Sequence, residues 1–158
     1  MSMGRVQFIP VLLVTFILGP KLFGQTVREG VGIEHVVNVG DSRNTVRETL
    51  GTLYSNRVEI RRENPLTGVE ETIRTKRSRV MWSYESLGLL VLFERNRVKA
   101  ITIASSAYVT TKGIRVGDSV DAVLKVYGTS LSKTLLMYSE AGIGFDVETD
   151  TVRTISIF

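Results

Sequence analysis

The chain has 158 residues, of which 43% are hydrophobic and 23% charged, with no Cys, one His and three Pro. That length fits one domain or two very small ones, and the composition is that of an ordinary globular protein. The missing Cys excludes a disulfide framework, a thiolate metal site, a cysteine nucleophile and a lipid-anchor cysteine, and the lone His35 argues against a His-based metal site or triad.

In chain order, residues 1–24 read as a secretory signal peptide. Arg5 gives the positive start, residues 6–18 form an apolar run broken only by Gln7, Pro10 and Thr15, and Gly19-Pro20 ends any helix. The run is short for a hydrocarbon core of about 30 Å. The 20 Lys and Arg against 16 Asp and Glu make a formal net charge of +4. Cleavage after Gly24 removes Arg5 and Lys21 and no acid, leaving +2. Export and that small excess argue against a nucleic-acid partner. The expected location is periplasmic or secreted, and without Cys the chain is not expected to be a lipoprotein.

The remainder repeats itself. Val39-Gly40-Asp41-Ser42 recurs as Val116-Gly117-Asp118-Ser119, and at the same offset of 77 Val46 matches Val123, Gly51 matches Gly128 and Thr52 matches Thr129. Further on the offset is 54: Tyr84, Gly88, Glu94, Val98, Ile101 and Ile103 match Tyr138, Gly142, Glu148, Val152, Ile155 and Ile157. The difference places a 23-residue insertion between Thr52 and Tyr84. Ser42 and Ser119 are expected N-caps, because a Ser oxygen accepts from free first-turn amides. Val46 with Leu50, and Val123 with Tyr127, each share one helix face. Gly51 and Gly128 are expected to end the helices in the left-handed conformation. Asp41 and Asp118 suit the positive end of the helix dipole, and are alternatively a ligand pair.

Three strands should follow each helix, at 80–84, 88–94 and 97–104, and at 134–139, 142–147 and 151–158. Arg95-Asn96 and Thr149-Asp150 read as two-residue hairpin turns. Leu89, Val91 and Phe93 take the inward positions, but Leu90 and Leu92 stand where the second copy has Gly144 and Asp146. That second apolar face needs a cover: residues 26–37, the insertion, or a partner.

The insertion reads as a protruding hairpin turning at Asn64-Pro65-Leu66-Thr67-Gly68. Residues 57–79 hold seven basic residues and four acids, Arg57, Arg61, Arg62, Arg74, Lys76 and Arg77 among them. Such a hairpin suits an anionic headgroup, an acidic protein or a polyanion, or is a solvated edge kept from aggregating by its charge.

Gly40-x-Ser42 opening a short helix, Val46, Gly51, Trp82-Ser83-Tyr84, and Phe93 with Val98 five residues later resemble the SmpA/OmlA (BamE-type) envelope proteins. The second copy keeps Gly117, Ser119, Val123, Gly128 and Tyr138, with Leu136 for the Trp and Val147 for the Phe. Two units in tandem look like the arrangement of β-lactamase-inhibitory-protein (BLIP)-like proteins. The resemblance implies an extracytoplasmic binding or scaffolding module without catalysis. The absent Cys withholds both the lipid anchor and the disulfides of those relatives.

Other chemistry is thin. His35 stands where the second copy has Lys112, a surface position rather than a triad member. Glu140, Asp146, Glu148 and Asp150 form an acidic patch without Ca²⁺-loop spacing, which reads as a solvated face. No phosphate loop, nucleophile elbow or dinucleotide fingerprint is present. Trp82 and Tyr84 either stack a ligand or lie in the core at the strand parity of Leu136 and Tyr138.

The expected fold is α+β, two tandem helix-plus-three-stranded antiparallel meander repeats, BLIP/BamE-like: repeat 1 over 25–106 with a basic hairpin insertion near 53–79, repeat 2 over 107–158. The expected function is an exported, non-catalytic protein-interaction or scaffolding module of the bacterial cell envelope. The alternatives are a secreted enzyme inhibitor and a small-ligand binder. The expected partner is another envelope or secreted protein, with no cofactor or metal. Candidate protein-binding residues are the six basic hairpin residues with Leu90, Leu92, Trp82 and Tyr84; Gly40, Ser42, Gly51, Gly117, Ser119 and Gly128 are structural.

Overall fold

The computed structural model describes residues 24–57, 61–63, 70–72 and 79–158, with side chains described outside 56–79. The expected signal peptide, but for Gly24, lies outside the described residues. From the first of them the chain runs through three short strands, β1 (Gln25–Arg28), β2 (Gly32–Ile33) and β3 (Val37–Asn38), into helix α1 (Arg43–Leu50). Strands β4 (Ser55–Arg57), β5 (Arg61–Glu63) and β6 (Glu70–Thr72) precede a meander of β7 (Arg79–Tyr84), β8 (Leu89–Glu94) and β9 (Arg97–Ile103). Then come β10 (Tyr108–Thr110), helix α2 (Val120–Tyr127) and a second meander of β11 (Leu135–Tyr138), β12 (Ile143–Glu148) and β13 (Thr151–Ile157).

Both helices start as their sequences dictate. Ser42 Oγ accepts from the Thr45 amide at 3.1 Å, and Ser119 Oγ from the Ala122 amide at 3.3 Å. Asp41 and Asp118 do not reach the first helical turn. Each carboxylate accepts at 2.8 Å from an amide three residues earlier, Asn38 and Arg115, and so closes the turn before the helix. Gly40 and Gly117 donate their amides to Val98 and Val152 across the meander. Gly51 and Gly128 end the helices at φ 82°, ψ −169° and φ 90°, ψ −174°. That is not the left-handed helical conformation expected but an extended positive-φ one, which only glycine enters at small cost.

The expected fold class is corrected. The described chain is mostly β, with only two α-helices of eight residues each. The meanders are not two tandem helix-plus-three-strand units. Their six strands and β4 make one seven-stranded sheet, in the order β11-β12-β13-β9-β8-β7-β4. A second, four-stranded sheet, β10-β1-β2-β3, was not foreseen. The junction of the large sheet is the antiparallel pair β9–β13, where Ile101, Thr102 and Ile103 face Ile157, Ser156 and Ile155. Equivalent strands of the two copies therefore become antiparallel neighbours inside a single sheet, with the equivalent residues Thr102 and Ser156 directly opposed. The expected 106/107 boundary falls between β9 and β10, and β10 pairs in parallel with β1 from the other side of it.

One face of the large sheet is packed. Val91, Phe93, Ile101, Ile103, Phe145, Ile155 and Ile157 are fully buried, together with Val46 and Val123 from the helices and Val27, Ile33 and Tyr108 from the small sheet. Each such side chain contributes about 1.5–3 kcal/mol by leaving water. The layers meet closely at Gly142 (φ 67°), where a Cβ would stand 2.6 Å from the Gly30 Cα and 2.8 Å from the Phe158 carbonyl oxygen. Arg95-Asn96 and Thr149-Asp150 all have positive φ, the geometry of tight two-residue hairpins. Among the described residues no helix is long and apolar enough to cross a membrane.

Candidate interaction surface

The other face of the large sheet is built by strand alternation. Successive side chains point to opposite faces, so the partners of the buried residues define an outward row. Pairing carries that row across the sheet from Ser83 through Leu90, Thr102, Ser156 and Gly144 to Met137. A neighbouring row runs Met81, Leu92, Ala100. None of these belongs to the core cluster, which gathers the helices and the small sheet on the opposite face. Leu90 and Leu92 are half-buried, Thr102 Oγ1 and Ser156 Oγ are 3.3 Å apart, and Met137 is 44% exposed. A shallow depression of about 330 Å³ includes Ser83, Leu90, Thr102 and Thr154. Residues 26–37, one expected cover for Leu90 and Leu92, pack on the core side instead.

Of the sequence candidates whose side chains are described, Leu90 and Leu92 share this surface. Trp82 and Tyr84 are corrected as binding residues: they are 3% and 1% exposed. Trp82 faces Val91 in the ladder and so points inward with it, stacked on Tyr54 at 4.1 Å and tilted against Phe93 at 4.5 Å. The Arg47 guanidinium lies 5.4 Å from its ring centre. Burial, with a smaller push from Tyr54 and against the pull of Arg47, raises the Tyr84 phenol to about 12. Arg57, Arg61 and Arg62 belong to β4 and β5, but their side chains, with Arg74, Lys76 and Arg77, lie outside the described residues.

The acidic patch is neutralised in part. Arg153 donates from Nε to Asp146 Oδ2 at 2.9 Å, pairs with the same oxygen through a second nitrogen, and reaches Glu148 Oε2 at 3.6 Å. Hydrogen bonding to Asp146, with the charges of Asp146 and Glu148, holds the guanidinium above its ordinary value. Among the described residues no group of three or more His, Cys, Asp or Glu is placed to hold a metal ion. His35 is exposed, in a turn at φ 59°.

A polar knot ties the turn after β1 to the end of α2 and to the segment after β10, and no sequence motif announces it. Glu29 accepts from the Tyr127 hydroxyl and from Thr111 Oγ1, each at 2.5 Å. Lys112 Nζ lies 4.2 Å from the Tyr127 ring centre. Burial works to raise the Glu29 carboxyl, but the bonds from Thr111 and Tyr127, its own amide and the Lys112 charge bring it below its ordinary value. Burial first, and Glu29 second, raise the Tyr127 phenol. Elsewhere a cleft of about 730 Å³ is lined by Ser86, Ser105, Ser106, Tyr108 and Arg115 among others. It offers hydroxyls and one cation.

No protein-family model matches the chain, and no curated protein matches it. Among solved structures it is similar to the uncharacterized protein yfeY from Escherichia coli, at 9% sequence identity and a TM-score of 0.45, with 84% of this chain and 98% of that chain covered. No function is transferred across that distance.

Proposed function

We propose that the chain is an exported, non-catalytic protein-interaction module of the cell envelope, which engages another envelope or secreted protein through the outward face of its seven-stranded sheet. One observation carries the reading: a broad sheet packs one face completely and leaves Leu90, Leu92, Met81, Ala100 and Thr102 half-buried on the other. The mixture of aliphatic side chains with hydroxyls suits a protein surface better than a small-molecule pocket, which is concave and encloses its ligand. The N-terminal charge and apolar run support export.

The test is in-cell cross-linking of the tagged protein, followed by denaturing purification. A defined heterologous partner is expected, and Thr102→Glu at the centre of the face should abolish the adduct while leaving the thermal midpoint nearly unchanged. Recovery of free protein alone, or an adduct indifferent to Thr102→Glu, overturns the proposal.

A further inference from the structure

Strand β11 ends the large sheet, and its outer edge is open among the described residues. At the opposite end the edge strand is β4, paired with β7. Natural edges are blunted by charge, proline or bulges. Leu135-Leu136-Met137-Tyr138 has none of these. Two of its four side chains are large, apolar and exposed, Leu135 at 48% and Met137 at 44%.

The ladder shows which backbone groups are free. The Val147 amide donates to the Thr134 carbonyl at 2.8 Å. Alternation then turns Leu136 and Tyr138 toward β12, and Leu135 and Met137 toward the open edge. The Leu135 amide is held only by Ser132 Oγ, at 3.2 Å.

We infer that β11 is a self-association strand, and that the occupant of its edge is β11 of a second copy, antiparallel about a two-fold axis at Leu136. That register sets Leu135 opposite Met137 of the second copy, twice. It aligns the free amide and carbonyl of each Met137 with Leu135, whose own amide exchanges its Ser132 bond for the new strand. Lys133 precedes the strand and Glu140 follows it in a 3-10 turn, so the antiparallel arrangement brings the positive flank of each copy towards the negative flank of the other. A shift of the axis to Met137 would face Leu135 with Ser139 and keep a single apolar pair on that face, Met137 against Met137. The self-complementarity of charge and apolar side chains favours a second copy over an unrelated strand.

The experiment is sedimentation equilibrium of the exported protein from micromolar to millimolar concentration. A concentration-dependent dimer is expected. Met137→Lys should make it monomeric and still folded, because Met137 is exposed and a Lys stem can cover Gly144 as the Met side chain does. Lys133→Glu should weaken the dimer by about tenfold, two attractive contacts becoming repulsive; Lys133→Glu with Glu140→Lys should restore it. A monomer at every concentration overturns the inference, as does a dimer that survives Met137→Lys. None of these readings uses Thr102, so failure here and failure of the outward-face proposal are told apart.

Discussion

Trp82→Ala separates a core residue from a binding residue. The side chain is 3% exposed, and it touches Tyr54 on one side and Phe93 on the other. Truncating a buried Trp costs about 3–5 kcal/mol in lost burial and residual cavity. Aromatic pairs add about 0.5–1.5 kcal/mol each beyond area. The upper half of that range applies, because both partners lose a ring and Arg47 loses its cation–π contact. A loss of about 4 kcal/mol lowers the midpoint by about 15 °C for a domain of this size. Urea unfolding should be followed by far-UV circular dichroism, because Trp82 is the only Trp and its removal abolishes the fluorescence probe. Trp82→Phe, which keeps a ring against Tyr54 and Phe93, should recover about half the loss. A change below about 1 kcal/mol in Trp82→Ala, with an unaltered m-value, would refute the packing argument and return Trp82 to the surface.

Glu29 has a folded-state value below its ordinary 4.5, so its contribution is present above that value and is lost as pH falls through the folded one. The wild-type thermal midpoint should therefore drop more steeply on acidification than that of Glu29→Gln; coincident acid limbs would count against the knot. Tyr84 moves the other way: raised to about 12, it favours the folded state below pH 10 and loses that contribution as pH climbs through about 12. Ultraviolet titration of phenolate should show several late-ionising groups, Tyr84 and Tyr127 among them, and Tyr84→Phe should remove one of them. Gly142→Ala should cost more than about 2 kcal/mol, and Gly113→Ala only about 1 kcal/mol, because both have positive φ but only the first drives a Cβ into backbone; equal losses in urea unfolding would remove close packing as the cause. Ser119→Ala should cost about 1 kcal/mol through the lost bond to the Ala122 amide, read in the same assay.

The positions of the meander strands and the two helices are local facts, and the sequence carried them. Gly88 and Gly142 stop the chain, Arg95-Asn96 and Thr149-Asp150 reverse it, and the alternation in Ile143-Gly144-Phe145-Asp146-Val147 fixes which residues face inward. The small sheet left no such trace. β2 and β3 are two residues each, too short for a period to show. β1 finds its parallel partner in β10, some eighty residues on, where no turn chemistry links them. The fusion of the two meanders was likewise invisible. Ile101, Ile103, Ile155 and Ile157 announce themselves as buried strand residues, but burial alone does not say that β9 and β13 are each other's neighbours.

That fusion decides which sequence candidates can act together. In the ladder Trp82 is opposite Val91, and Ser83 is opposite Leu90. A partner resting on Leu90 and Leu92 therefore meets Ser83 and Met81, and never Trp82 or Tyr84. The aromatic pair and the leucine pair looked like one surface because they are close in sequence, yet a strand places odd and even positions on opposite sides of a sheet. With the helices and small sheet on the aromatic side, a partner reaches Trp82 only by unpacking the core. Contact through the leucine side leaves the core intact, and it extends without a break over Thr102 and Ser156 to the open edge at Met137.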